Sequence, residues 1–320
     1  MVWDDIEEKI KEANEQYSFS ELKTNNEELD YSYLKAKDKE SEQFNKQGDE
    51  WGKQQGEQIK IKSELNDHDT IFAFGTTKCG KTWAGCSFIE KCINEGGHAH
   101  IINNDNGVLR TMKAYFGKDF KKLKDENSFT IYPIRDIEEI FPLIEKLEKI
   151  LTSKDLLFID LLNDFYELSQ DKFLEQCSKS LGVSITDYIV MASKDNSKFG
   201  LFDSIKWQYI KKLNNILMRK LVIYPKCTVF ACNSVKDLKV REIFNKKDSK
   251  KLEQYERYHD VGYLPAGHDS TPSFFHTIVY IGQTVDNKHF FKVMGHRGFI
   301  RSEKAIYDKN FYNVFEELKK

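Results

Sequence analysis

The chain reads as an α/β protein, a mostly parallel sheet flanked by helices with a β-hairpin near its C-terminal end. Three observations predict this. From Thr70 onward, short apolar runs alternate with amphipathic segments, the pattern of strands connected by helices. A glycine-rich string, Gly75 to Thr82, stands between the first apolar run and the first helical one. A later apolar run, Leu156 to Ile159, ends abruptly in Asp160.

The elements follow in order. Strands are expected at Ile71–Phe74, His98–Asn103, Ser128–Tyr132, Leu156–Asp160 and Cys227–Cys232. Helices are expected at Lys81–Asn94, Gly107–Tyr115, Ile137–Leu151, Leu162–Ser180 and Ile205–Leu221. Asp136 with Glu139 three residues on marks a capped start for the third helix. Trp207, Ile210, Leu213, Leu217 and Leu221 give the last helix an apolar stripe, read as core. After Pro265, Phe274–Gln283 and His289–Met294 flank Thr284–Lys288, whose Asp286-Asn287 pair suits a hairpin turn.

Composition divides the chain of 320 residues unevenly. Residues 1–65 are rich in Glu, Lys, Asn and Gln with scattered aromatics, and are expected to form an acidic arm, helical or partly disordered. Through residue 68 there are 10 basic and 18 acidic residues, whereas the rest carries 39 and 33 and is mildly basic. Residues 66–302 are read as the main domain and 303–320 as a C-terminal helical tail. No apolar run is long enough to span a bilayer, which points away from the membrane and to the cytoplasm. The six cysteines lack metal-binding spacing and are expected to be free thiols without zinc.

Gly75, Thr76, Thr77, Lys78, Cys79, Gly80, Lys81 and Thr82 spell G-x-x-x-x-G-K-T, a phosphate-binding loop, or P-loop. The glycines let the backbone wrap so that successive N–H groups face inward, and the helix starting at Lys81 adds its positive end. Lys81 suits β- and γ-phosphates, and the Thr82 hydroxyl suits Mg²⁺. Asp160, at the C-terminal end of a strand where such sheets bind ligands, is the second metal residue, with Asp164 as the competitor. Asp105, 24 residues after Lys81, is the candidate that orients the attacking water, or else a turn residue before Asn106-Gly107. Asn233 or Ser234 either senses the γ-phosphate or caps the following loop. These residues imply ATP and Mg²⁺ as ligands.

Lys81, Asp105, Asp160 and Asn233, in this order and followed by a hairpin, resemble the RecA-like P-loop ATPases, especially compact phage-type recombination ATPases. The resemblance covers about Asp69 to Arg301. It implies ATP hydrolysis, assembly with neighbouring copies, and contact with single-stranded DNA in recombination, repair or replication. The family usually has glutamate at the position of Asp105, and here Gly295 and Arg297 replace a closely spaced pair of cations in the hairpin. Arg297 is the resulting candidate for a finger acting on a neighbour's nucleotide. The DNA-contacting segment corresponds to Lys236–Lys251, with Lys236, Lys239, Arg241, Lys246, Lys247, Lys250 and Lys251 facing phosphates and Phe244 able to stack a base. An earlier segment would include Phe199. Alternatives are an ATPase switch whose acidic arm binds a protein partner, a small-molecule kinase, and a packaging motor.

Overall fold

The computed structural model describes residues 68–103, 107–194, 204–238, 249–297 and 304–318. The chain divides into Met1–Leu65 and Asn66–Lys320, and the described residues belong to the second unit. The expected N-terminal arm therefore lies outside them.

Eight strands form one sheet. In chain order they are β1 (Thr70–Phe74), β2 (Ala99–Asn103), β3 (Phe129–Pro133), β4 (Leu156–Asp160), β5 (Thr228–Asn233), β8 (Thr277–Gln283), β9 (His289–His296) and β10 (Lys304–Tyr307). Their spatial order is β10-β9-β8-β1-β5-β4-β2-β3. Pairings from β8 to β3 are parallel, and those of β9 with β8 and β10 are antiparallel. A separate pair, β6 (Val235–Asp237) with β7 (Tyr263–Pro265), stands off the main sheet.

The helices are α1 (Lys81–Asn94), α2 (Gly107–Phe116), α3 (Asp119–Asp125), α4 (Ile137–Ile150), α5 (Asn163–Ser180), α6 (Ile185–Lys194), α7 (Ser204–Met218), α8 (Ser249–Tyr258) and α9 (Phe311–Glu317). Asp136 caps α4 by accepting from the Glu138 N–H at 2.9 Å, while the Glu139 carboxylate accepts from Arg135 N.

The sequence of the central strands explains the layers. TIFAF in β1 and LLFID in β4 are buried at every position, because parallel strands covered on both sides cannot alternate apolar with polar. Ile71, Ala73, Phe158, Phe230 and Cys232 pack with Ala84, Phe88 and Ile89 of α1 and with Phe311 and Phe315 of α9. Phe72, Phe74, Leu157, Ile159, Val229 and Ala231 pack on the other face with α4, α5 and α7.

Several boundaries differ from the sequence reading. Residues 274–276 are not strand, because Thr271–Phe274 close a 3₁₀ turn with Pro272 at its start. The last expected helix ends at Met218 and continues as a π-turn, Arg219–Ile223. The segment read as a helical tail opens with strand β10, whose residues pair with Phe291, Phe290 and their neighbours in β9, before forming α9. The basic segment contributes β6 at one end and enters α8 at the other.

Candidate nucleotide-binding site

The loop after β1 is shaped by close approach. A Cβ on Gly75 would come within 2.2 Å of the Ile281 carbonyl oxygen in β8, so only glycine fits there. Lys78 and Gly80 adopt positive φ, 63° and 101°, turning the chain back so that α1 begins at Lys81. The Cys79 N–H donates to the Thr76 carbonyl at 3.4 Å and the Ala84 N–H to the Gly80 carbonyl at 2.9 Å, so the amides of the first turn of α1 before Ala84 lack an intrahelical partner at the helix's positive end.

Lys81 is 8% exposed and folds over this loop, donating from Nζ to the Gly75 and Thr76 carbonyls at 2.8 and 2.7 Å. Cys79 Sγ lies 3.9 Å from the same ammonium. Burial pushes the Cys79 thiol up, opposed by the Lys81 charge.

Thr82 donates from Oγ1 to Asp160 Oδ2 at 2.9 Å. The contact joins the first turn of α1 to the end of β4, and Asp160 is 2% exposed. Asp164 instead opens α5 and accepts from the adjacent Asn163 side chain. Thr82 therefore distinguishes the two aspartates. β2 runs beside β4 with Asn103 in register with Asp160. Asp105 lies outside the described residues.

Asn233 is fully buried at the end of β5. Its Nδ2 donates to the Ser234 and Ala266 carbonyls at 3.1 and 3.0 Å, and its Oδ1 makes no hydrogen bond among the described residues. Alternation along β5 puts it on the face of Val229 and Ala231, away from α1. Ser234 donates its N–H to Asn163 Oδ1. The structure thus spends the Asn233 amide on tying β5 to the chain after β7.

Arg297 is remote from the P-loop of its own chain. It follows β9, and its N–H donates to the His276 carbonyl and its Nη2 to Ser273 O at 2.7 Å. His276 precedes β8 at the end where Thr277 pairs with Ile71, whereas the loop leaves the other end of β1. Among the basic residues, Lys236 pairs with Asp269 at 2.9 Å. Lys250 and Lys251 belong to α8, and Lys239, Arg241, Lys246 and Lys247 lie outside the described residues, as do Phe199 and Phe244.

Two residues passed over in the sequence reading stand at the loop. His289, first residue of β9, meets the Cys79 carbonyl with Nδ1 at 3.0 Å and stacks on Tyr307 of β10, ring centroids 5.7 Å apart. Cys232, fully buried near the end of β5, follows Ala231, the register partner of Ile159, and so stands beside the strand end that carries Asp160. The hairpin register was the available signal for His289: β8 pairs with β1, and His289 stands opposite Gln283 at the loop end.

The donor set fits its expected ligands. A hydroxyl and a carboxylate oxygen at the edge of the loop suit a hard divalent cation. The glycine-wrapped backbone, an ammonium and a helix N-terminus suit a polyphosphate.

No protein-family model matches this chain, and no curated protein matches it. Among solved structures, it is similar to a KaiC-like protein from the hyperthermophilic archaeon Pyrococcus horikoshii OT3. The two are 15% identical over 76% of this chain and 87% of that one, with a TM-score of 0.43.

Proposed function

We propose that this chain binds Mg-ATP and hydrolyses it. The large, mostly parallel sheet with its helices on both faces and antiparallel strands at the C-terminal edge is a RecA-like P-loop fold. The hydrogen bond from Thr82 to Asp160 carries the functional reading, because it brings the motif's hydroxyl and the acidic strand end to one point.

In this reading the amides of the Gly75–Lys81 loop bind the phosphates and Lys81 exchanges its carbonyl partners for phosphate oxygens. Thr82 and Asp160 would hold Mg²⁺, which would supply positive charge to the phosphates. Asp105 orients the attacking water. Asp160→Asn then weakens magnesium-dependent binding, while Asp105→Asn retains bound ATP and slows its hydrolysis. Titration with a fluorescent ATP analogue, with and without Mg²⁺, and phosphate release in the same samples test this. Equal loss of binding in both variants overturns the assigned roles.

Action on single-stranded DNA, and an Arg297 that serves a neighbour's nucleotide, belong to the same proposal at a finer level. Its hold on Ser273, at the opposite end of β1 from the P-loop, supports a role for Arg297 outside its own chain's nucleotide site. Single-strand binding that tightens with a non-hydrolysable ATP analogue and weakens with salt supports the DNA role. Absence of binding at low salt favours the protein-regulated switch.

A further inference from the structure

α7 changes its winding just before it ends. Arg219–Ile223 form a π-turn, closed by the Tyr224 N–H donating to the Arg219 carbonyl at 3.0 Å, and Pro225 stops the helix. A π-turn is wider than an α-turn, and such turns recur at functional sites. Here it carries Leu221 and Val222 into the core, 1% exposed each, and leaves Ile223 and Tyr224 exposed. Between this turn, the last two turns of α4 and the start of β4 lies a cavity of about 410 Å³. Small-molecule sites span about 300–1,000 Å³. Its floor is aliphatic: Ile144 and Leu147 of α4, Leu157 of β4 and Leu221 are all buried. Leu157 is the second residue of β4 and Asp160 the last, so the cavity stands at the end of that strand away from the P-loop.

The polar residues of the cavity are unevenly charged. Glu148 of α4 and Lys220 of the π-turn, 3.2 Å apart, join the two walls. Lys226 also lines the cavity, is exposed, and makes no ion pair among the described residues. Two ammoniums against one carboxylate leave one positive charge in excess. We propose that this cavity binds a small monoanionic amphiphile, an alkyl or aromatic body carrying one carboxylate. The body displaces water that finds no hydrogen-bond partner on the aliphatic floor, and the carboxylate meets Lys226 and Lys220. The sign of the excess charge disfavours an amine, and its size suits one carboxylate rather than a polyphosphate. This ligand is therefore distinct from the nucleotide in chemistry and in place.

The test titrates the full chain calorimetrically with decanoate, decanol and decylamine, probes of equal length and different charge. Decanoate is expected to bind at one site per chain and decanol about 3- to 10-fold more weakly, because an ion pair at a water-exposed rim adds only modestly. Decylamine is expected to bind more weakly still. Lys226→Glu turns the excess charge negative. It is expected to reverse the order of decanoate and decylamine and to leave decanol within about twofold of wild type. Leu151→Trp adds bulk at the lining of the cavity and is expected to weaken all three probes at least about tenfold. Should that variant fail to fold, the charge reversal alone decides. Decanol binding as tightly as decanoate, an unreversed order in Lys226→Glu, or unchanged affinities in folded Leu151→Trp overturns the proposal. Failure of wild type to bind any of the three at millimolar concentration overturns it in favour of a protein partner's side chain as occupant. None of these outcomes depends on the Mg-ATP reading.

Discussion

His289 fastens the outer rim of the P-loop by meeting the Cys79 carbonyl at 3.0 Å, and its ring fills the space beside Gly80 where a Cβ would come within 2.6 Å of Nδ1. The hairpin and the loop are thus fitted to each other within one chain. Gly80→Ala meets two obstacles: positive φ, costing roughly 1–2 kcal/mol for a residue with a Cβ, and this contact. The variant is expected to bind the ATP analogue at least about tenfold more weakly, one decade being about 1.4 kcal/mol. Adding His289→Ala removes only the contact, so the double variant is expected to be less impaired than the two single losses combined. A calorimetric and binding cycle on the four proteins checks this, and strict additivity would rule out the contact.

Lys81 is satisfied by two backbone carbonyls before any phosphate arrives. Lys81→Ala is expected to weaken nucleotide binding roughly 10- to 100-fold, because a charge-assisted hydrogen bond is worth about 1.5–3 kcal/mol. Equilibrium titration decides, and wild-type affinity in Lys81→Ala would remove the P-loop reading.

His100 in β2 is buried beside Tyr132, its Nδ1 3.1 Å from the phenol oxygen. Burial pushes it down to about 4, assisted by the facing His98 and by Lys146, with Asp155 opposing. Burial also lowers His98. The unfolded chain binds the proton near pH 6.5, so between about 6.5 and 4 it holds more protons than the folded chain and stability falls as pH falls. Urea unfolding is expected to show a loss of roughly 2 kcal/mol from this residue between pH 7 and 4.5. The loss should be reduced in His100→Gln, and an unchanged pH dependence there would contradict this account.

Phe311 of α9 touches the rings of Phe88, Phe230, Phe291, Tyr307 and Phe315 and is fully buried. Phe311→Ala is expected to cost about 3–5 kcal/mol, a value read from denaturant midpoints. A cost below about 1 kcal/mol would mean that α9 is dispensable to the core.

The legible parts of this fold are those where local sequence and tertiary structure demand the same thing. LLFID announces a buried strand by itself, and Gly75, Gly80, Lys81 and Thr82 announce the turn between β1 and α1. β6, β7 and β10 have three or four residues each and exist because partners lie beside them, which short windows do not reveal. The start of α8, Ser249–Lys251, falls within the segment read as a basic loop, although Glu253 and Arg257 just beyond it stand one helical turn apart and form an ion pair. At the site, Asp160 was readable from an abrupt change of polarity. The place of Cys232 was not, since a cysteine in an apolar strand carries no sign of which strand end lies beside it.

β1 has parallel partners on both sides, β5 and β8, and every one of its residues is buried. Its amides can exchange with solvent deuterium only through openings that break up the centre of the sheet, among the rarest fluctuations of a folded chain. Thr77 and Lys78, a few residues later, are exposed. An abrupt boundary between very slow and fast exchange is therefore expected within the P-loop, between buried Gly75 and exposed Thr77. A bound polyphosphate would move that boundary several residues forward without changing the slow side, leaving a footprint of occupancy confined to the loop and the first turn of α1.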